Sequence, residues 1–157
     1  MKKWIIGAVV ALAAIAGLAY LTTPSDEELI RQAIVESTEA SREGRPGGVA
    51  EHLSKSLTIN GLDFIDRGEI SRVVRLSRPE VTFGQYEPQV EGNEATVTAD
   101  VALKIDYQGF MFDDTIRGVR VNLAKETGYR WLVFPSPKWR ITEVSAPALG
   151  AIPGPSL

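Results

Sequence analysis

The spacing of apolar residues changes from helical to alternating near the middle of the chain. Ser25 and Glu28 form a capping box, in which each side chain bonds the other residue's backbone amide at the start of a helix. The predicted helix has an apolar stripe at helical spacing, formed by Leu29, Ile30, Ala33, Ile34 and Ala40. Gly44 is expected to end this helix.

Two shorter helices are predicted next. The second is indicated by apolar residues spaced four apart, namely Val49, Leu53 and Leu57. It is expected to end at the turn formed by Asn60 and Gly61. Asp66 and Glu69 form another capping pair at the start of a third helix. The third helix is expected to stop before Pro79, because proline disfavours helix in the residue that precedes it.

Strict alternation then replaces the helical spacing. Every second residue is apolar or aromatic in the set Ala95, Val97, Ala99, Val101, Leu103, Ile105 and Tyr107. This pattern predicts a long strand with one buried and one solvated face. Weaker alternation indicates strands near residues 81–85, 117–125 and 138–144, whereas residues 129–134 fit either a strand or a loop. Three helices followed by four or five antiparallel strands predict an α+β domain with its helices on one face of the sheet.

The N-terminal residues have a different pattern. Lys2 and Lys3 precede an uncharged run, Trp4–Leu21, which would form about 27 Å of helix against a hydrocarbon core of about 30 Å. Two interpretations fit this run. One is an uncleaved single-pass anchor with a cytoplasmic N-terminus and a periplasmic or extracellular domain. The other is a cleaved signal peptide and a secreted domain, since small-x-small triplets occur at residues 14–16 and 17–19. We favour the anchor, because the apolar run continues past both triplets.

The chain is thus divided into a membrane or signal segment at residues 1–23, a folded domain at 24–146 and a flexible tail at 147–157. Composition limits the chemistry of that domain. The chain has no cysteine, a single histidine (His52) and a net charge of -3. These counts exclude disulfides, thiol catalysis and cysteine- or two-histidine metal sites, and they argue against nucleic-acid binding. We predict no metal site and no cofactor.

Two short phrases carry a resemblance to a known family. The closing strand reads Trp-Arg-Ile-Thr-Glu-Val at residues 139–144, and residues 92–97 read Gly-Asn-Glu-Ala-Thr-Val. Together with the order of the elements, they resemble the nuclear transport factor 2-like (NTF2-like) superfamily. The resemblance implies a cystatin-like cone, in which a strongly curved sheet wraps around the helices and leaves a pocket at its wide end.

The resemblance also implies where enzymes of the superfamily carry their chemistry, on acids, tyrosines or histidines inside the cone. The sequence matches none of these catalytic patterns, so we predict no catalytic residue. Tyr107 is the polar residue on the inward register of the long strand, and with Phe83 and Trp139 it is the candidate lining of a ligand pocket. His52 fits either a pocket acid or base, or a surface histidine beside a buried leucine, and we favour the second interpretation.

Bulky apolar residues also cluster near two predicted turns, where simple alternation cannot bury all of them. They are Phe110, Met111, Phe112, Trp131 and Phe134. They form either a satellite core or an exposed patch for a partner. We therefore predict a membrane-anchored, extracytoplasmic, non-catalytic domain that binds a protein partner, a second copy or a small apolar ligand. The alternative is an exported enzyme or carrier for small molecules, with its pocket in the cone.

Overall fold

Three helices pack on a six-stranded sheet in the part of the chain that the structure describes. The computed structural model describes residues 10–11, 13–14, 24–61, 66–130 and 134–147. The helices are α1 (Asp26–Arg42), α2 (Pro46–Glu51) and α3 (Arg67–Ser77). The strands are β1 (Leu53–Ile59), β2 (Glu80–Phe83), β3 (Gln89–Glu91), β4 (Glu94–Tyr107), β5 (Phe110–Arg130) and β6 (Phe134–Ser145). The α+β prediction is confirmed, and the predicted count of four or five strands is corrected to six.

Two of the six strands were not predicted, the short β3 and β1, and β1 comes from the segment that was predicted as the second helix. Helix α2 ends at Glu51, and β1 begins two residues later and runs parallel to β6. Leu53 lies opposite Ile141, and Ile59 lies opposite Val144. A spacing of four residues suits one helical turn, but it also equals two strand periods and so keeps the same face of a strand. Pairing with β6 makes residues 53–59 a strand and not a helix.

The predicted starts of α1 and α3 and the predicted end of α3 are confirmed, whereas the second helix ends at Glu51 and not at the predicted turn of Asn60 and Gly61. The Ser25 hydroxyl accepts from the Glu28 amide at 3.2 Å and caps α1. Asp66 caps α3 by accepting from the Gly68 amide at 2.9 Å. Helix α3 ends at Arg78, whose φ of 45° is left-handed, immediately before Pro79. This left-handed residue turns the chain into β2.

The sheet is built around one long hairpin. Its strand order is β1-β6-β5-β4-β2, with β3 also paired to β4. Strands β4 and β5 pair from Glu94 opposite Ala124 to Tyr107 opposite Phe110. A bulge interrupts the ladder where Asp100 faces Arg117 and Gly118 on β5. Gly118 has a φ of +64° there and donates its amide to the Asp100 carboxylate at 2.9 Å. Such a bulge sharpens the twist and bends the strand, which curves the sheet around the helices.

The core lies between α1 and the concave face of the sheet. Ile30 and Ile34 of α1 are almost fully buried, as are Val97 on β4 and Val121 and Leu123 on β5. They belong to one contiguous apolar cluster that joins the helical layer to the sheet. The predicted alternation on β4 is confirmed, because its buried residues occupy the predicted inward register.

Helix α1 is tied to the sheet at its first residue. The Asp26 carboxylate accepts from the Trp139 indole N–H at 3.1 Å and pairs with the Lys125 ammonium at 2.9 Å. The Lys125 ammonium also lies 5.8 Å from the centroid of the Trp139 ring. The hydrogen bond from Lys125 is the main reason that the pKa of Asp26 is lowered. The cluster fixes where the helical layer meets β5 and β6.

The predicted membrane segment lies almost entirely outside the described residues. Residues 10, 11, 13 and 14 are helical and exposed. Among the described residues, no helix is long and apolar enough to span a membrane. The domain boundaries at 24 and 146 stay a prediction. Ala146 is buried, and its amide donates to the Asn60 side chain at 2.7 Å, whereas residues 148–157 of the predicted tail lie outside the described residues.

Replacing Trp139 with Phe tests the hydrogen bond between the Trp139 indole and the Asp26 carboxylate. The variant keeps an aromatic ring in the core but removes the N–H that the Asp26 carboxylate accepts. We expect the free energy of unfolding in urea to fall by about 1–2 kcal/mol. In an Asp26→Asn background the same change is expected to cost clearly less. Equal costs in both backgrounds would show that the bond does not stabilise the fold.

Candidate functional site

The β4–β5 hairpin extends beyond its neighbouring strands. Strand β2 pairs with β4 only as far as Lys104, and β6 pairs with β5 only from Arg120 onwards. Gln108 and Gly109 form the turn with φ values of 50° and 85°, as in the type I′ turn that suits a two-residue hairpin. We call residues 105–112 the hairpin tip. Within the described strands, its two sides pair only with each other.

The hairpin tip exposes two bulky apolar side chains. Phe110 is 55% exposed and Met111 is 73% exposed, whereas Phe112 is half-buried and packs against the core cluster. Phe110 lies opposite Tyr107 on the concave face of the sheet, and Met111 lies opposite Asp106 on the convex face. The two predicted roles are therefore divided, because Phe112 joins the core, whereas Phe110 and Met111 are exposed on the two faces of the tip. That this patch binds a partner stays a prediction.

The structure does not describe the side chains of the other two patch candidates. Trp131 lies outside the described residues. Phe134 is the first residue of β6 and lies opposite Arg130, and the structure does not describe its side chain.

The three candidate pocket residues lie apart from one another. Phe83 is opposite Val101 on β4, and Tyr107 lies six residues further along that strand, about 20 Å away. Phe83 packs edge-on against Tyr86 at 5.8 Å and lines a groove of about 380 Å³ between α1 and β2. Trp139 is 2% exposed and lines a separate groove of about 170 Å³. In the part of the chain that the structure describes, the grooves at Phe83 and Trp139 are separate, and Tyr107 lines neither of them.

One concavity of the described structure is open and polar. It measures about 710 Å³ and lies between α1 and the loop from β2 to β3. Arg31 stacks over the Tyr86 ring at 5.1 Å from the centroid and covers one wall of this concavity. Burial raises the pKa of Tyr86, so its phenol stays neutral and acts as a hydrogen-bonding group. Among the described residues that line this concavity, no acidic and basic side chains are positioned to transfer a proton between them.

His52 is buried beside a carboxylate, which corrects the expectation of a surface histidine. Only 8% of the residue is exposed, and its Nε2 atom lies 3.2 Å from a Glu36 carboxylate oxygen. The other oxygen of Glu36 accepts from the Gln32 amide at 2.7 Å. The His52 carbonyl accepts from the Ile141 amide at 2.8 Å, which fixes the histidine at the start of β1. Helix α1 thus contacts the imidazole through Glu36, and strand β6 holds the backbone of His52.

The sequence reasoning missed Glu36. The usable signal was its position four residues after Gln32, at the edge of the apolar stripe of α1. Such a pair presents polar atoms beside a buried face. Nothing in the spacing, however, indicates that His52, from a different element, completes the pair.

Burial lowers the pKa of His52, and four charged groups act on it. The nearby carboxylates of Glu36 and Glu51 favour the charged imidazole, whereas the cations Lys138 and Arg140 oppose it. Lys138 itself pairs with Glu51, and this contact lowers the pKa of the Glu51 carboxyl. Desolvation is the strongest influence, so His52 favours the neutral form. In that form one ring nitrogen donates a hydrogen bond and the other accepts one.

The space around this pair is small. His52 and Glu36 line both the groove of about 170 Å³ and a neighbouring one of about 180 Å³. Ligand pockets for drug-sized molecules measure about 300–1,000 Å³. The grooves beside this pair are therefore smaller than a typical ligand pocket. No group of three potential metal ligands occurs in residues 24–61, 66–130 and 134–147.

Known structures share the fold of this chain. An NTF2-like protein from Cytophaga hutchinsonii superimposes with a TM-score of 0.59 at 12% identity, over 78% of this chain and 97% of that one. An NTF2-like protein of unknown function in nutrient uptake from Rhodospirillum rubrum gives 0.56 at 14% identity, over 74% and 94%. An NTF2-like protein with a cystatin-like fold from Novosphingobium aromaticivorans gives 0.53 at 17% identity, over 85% of each chain.

These similarities establish an NTF2-like α+β cone, with helices packed on a curved sheet. No family model matches the sequence, and no curated protein matches it significantly. At such low identity the likeness concerns the fold alone, and a fold of this kind does not determine a function.

The titration of His52 gives a pH prediction. Its pKa is lower in the folded protein than its ordinary value of about 6.5, so the unfolded chain binds this proton first as the pH falls. We expect stability to be greatest above about pH 6.5 and to decrease from there down to the folded pKa of His52, with no further loss from this residue below it.

Urea denaturation at about pH 7 and about pH 5 measures this loss. His52 is the single histidine of the chain, so His52→Gln should flatten the pH dependence in this window. The same slope in that variant would contradict a lowered His52 pKa. A nuclear magnetic resonance titration of the imidazole signal gives the pKa directly.

Proposed function

We propose that this chain is a membrane-anchored, non-catalytic domain that holds a protein partner outside the cytoplasm through its hairpin tip. The observation that carries the proposal is the exposure of Phe110 and Met111 at the end of a paired, projecting hairpin. Clustered exposed apolar side chains are typical of binding surfaces, and here one such side chain lies on each face of the hairpin tip. Burying such a side chain in an interface contributes about 1.5–3 kcal/mol.

The hairpin is suited to present these residues without itself rearranging. The type I′ turn at Gln108 and Gly109 matches the natural twist of the strands. Farther down, β5 is paired on both sides and its inward side chains are buried in the core. A pre-ordered surface avoids much of the entropy cost that binding otherwise incurs.

The anchor part of the proposal rests on the apolar run Trp4–Leu21 and the two lysines before it. Residues 22–25 would link a membrane helix to α1, and four extended residues span at most about 14 Å. The tie between Asp26 and Trp139 fixes the start of α1 on the sheet. An anchored domain would therefore stay close to the membrane surface.

A second candidate function is an exported enzyme or carrier for a small molecule. The pairing of buried His52 with Glu36 supports it, because a carboxylate-oriented imidazole is a common proton-transfer unit. The narrowness of the adjoining grooves favours the binding domain over this alternative.

Site-specific photo-crosslinking in the membrane-bound protein tests the hairpin tip. A photoreactive residue at Met111 is expected to form a discrete crosslinked product with a partner protein. The same residue at Val35 on α1, 49% exposed, or at Leu76 on α3, 59% exposed, is the matched control. Adding Phe110→Ser should reduce the product at least fivefold, consistent with about 1 kcal/mol or more of lost interface burial. Equal products from all three positions would contradict a specific surface at the tip.

Cysteine labelling tests the anchor, since the natural chain has no cysteine. In bacterial spheroplasts, Leu76→Cys is expected to react with a membrane-impermeant maleimide, while Lys2→Cys reacts only after lysis. The labelled protein should stay with the membrane in sodium carbonate. Loss of the Lys2→Cys site from a shortened, soluble product would show a cleaved signal peptide instead. Labelling of Lys2→Cys alone in spheroplasts would reverse the proposed orientation.

A further inference from the structure

One edge of β5 is open next to the hairpin tip. Strand β6 covers that side of β5 only from Arg120 onwards. Between Phe110 and Val119, no strand of the described chain pairs with this edge, and most of these residues are exposed. An unpaired edge is a template for an added strand, because its backbone N–H and C=O groups have no ladder partner.

The register shows which residues present those groups. In a two-residue hairpin the pair next to the turn, Tyr107 and Phe110, exchanges both backbone hydrogen bonds. Alternate residues of β5 therefore direct their backbone groups away from β4, beginning with Met111 and Asp113. Thr115 continues this series, and its amide donates to the Asp114 carboxylate at 2.7 Å instead of to β4. That contact is an independent sign that the amide at this position faces the open edge.

The chemistry of the edge differs between its two faces. The concave face carries the aromatic residues Phe110 and Phe112, and the convex face carries Asp106 and Asp113 around Met111. From Leu103 to Asp114 the hairpin has three aspartates against one lysine, a net charge of -2. The edge therefore complements a strand with apolar side chains on one face and cations on the other.

A second copy of this chain is a poor occupant of the same edge. Antiparallel self-pairing centred on Asp113 would place the two copies of that carboxylate opposite each other. The register that would place Asp113 opposite Arg117 requires regular pairing through the bulge at Arg117 and Gly118. Bulges and charged residues are the usual protection of an edge against self-association.

We propose that the open edge of β5, from Phe110 to Ile116, binds an extended segment of a partner protein by strand addition, and that this segment alternates cationic and apolar residues. This inference rests on the proposed function, for which it names the partner's chemistry. Backbone hydrogen bonds provide the affinity in strand addition, and alternate side chains provide the specificity. Here lysine or arginine would face Asp106 and Asp113, and apolar residues would face Phe110 and Phe112.

A labelled octapeptide of alternating lysine and valine, blocked at both ends, is the probe. We expect it to bind the full-length protein in detergent, with fluorescence anisotropy rising to saturation. Two N-methylated peptides are compared with it, one methylated at the lysine backbone nitrogens and one at the valine backbone nitrogens. Only one of these two sets of N–H groups faces the edge, the lysine set in antiparallel addition and the valine set in parallel addition. One of the two peptides is therefore expected to bind at least tenfold more weakly than the unmodified peptide. Replacing lysine with glutamate should abolish binding, and added salt should weaken it.

Two protein variants separate the backbone from the side chain. Met111→Pro removes an edge-facing N–H and is tolerable on an open edge, whereas Met111→Ala keeps that N–H. We expect the proline variant to bind the peptide at least fivefold more weakly than the alanine variant, with both melting near the wild type. If the proline variant does not fold, Asp113→Lys is the second variant, and it should bind the glutamate peptide in preference to the lysine peptide.

The outcomes are distinguishable from failure of the proposed function. Equal binding of the N-methylated and unmodified peptides would overturn strand addition. No binding of the lysine peptide, together with a crosslinked partner at Met111, would overturn this inference and leave the hairpin tip as a side-chain contact surface. A spectrum of backbone amide shifts confined to residues 110–116 on peptide addition would support it, and shifts centred on α1 or α3 would contradict it.

Discussion

Antiparallel pairing of β4 with β5 is the constraint on which the rest of the structure depends. This pairing runs along β4 from Glu94 to Tyr107, and it decides which side chains enter the core and which stay in water. Every other strand pairs with this hairpin or with β6, which itself pairs with β5. The bulge at Gly118 then bends the sheet around α1. The core and the projecting tip are therefore consequences of a single pairing.

Local patterns predicted the parts of the fold that are encoded locally. The alternation on β4 and the cap at Ser25 involve near neighbours in sequence, and both are confirmed. The spacing of Val49, Leu53 and Leu57 fits a helix and a strand equally, because four residues approximate one helical turn and two strand periods. Only the distant strand β6 decides that Leu53 begins a strand, so no local argument identifies β1.

The same limit applies to the polar contacts. Glu36 meets His52, and Asp26 meets Trp139, because tertiary packing brings separate elements together. The apolar segment at the tip was predicted as a candidate from its composition alone. The pairing of β4 with β5 was needed to show that Phe112 is half-buried while Met111 is exposed. The point where β6 stops pairing with β5 was needed to show that the edge beside them is open.

An open edge used for recognition has to satisfy two opposed conditions. It must leave backbone groups free for a partner strand, and it must not pair with copies of itself. Asp113 and Asp114 help to meet both conditions. Their negative charges repel those of a second copy, and the same charges attract a cationic segment. Asp114 also occupies the Thr115 amide at the edge. An incoming strand would have to displace this carboxylate before it could use that amide. The charge pattern that protects the edge would then also select its partner.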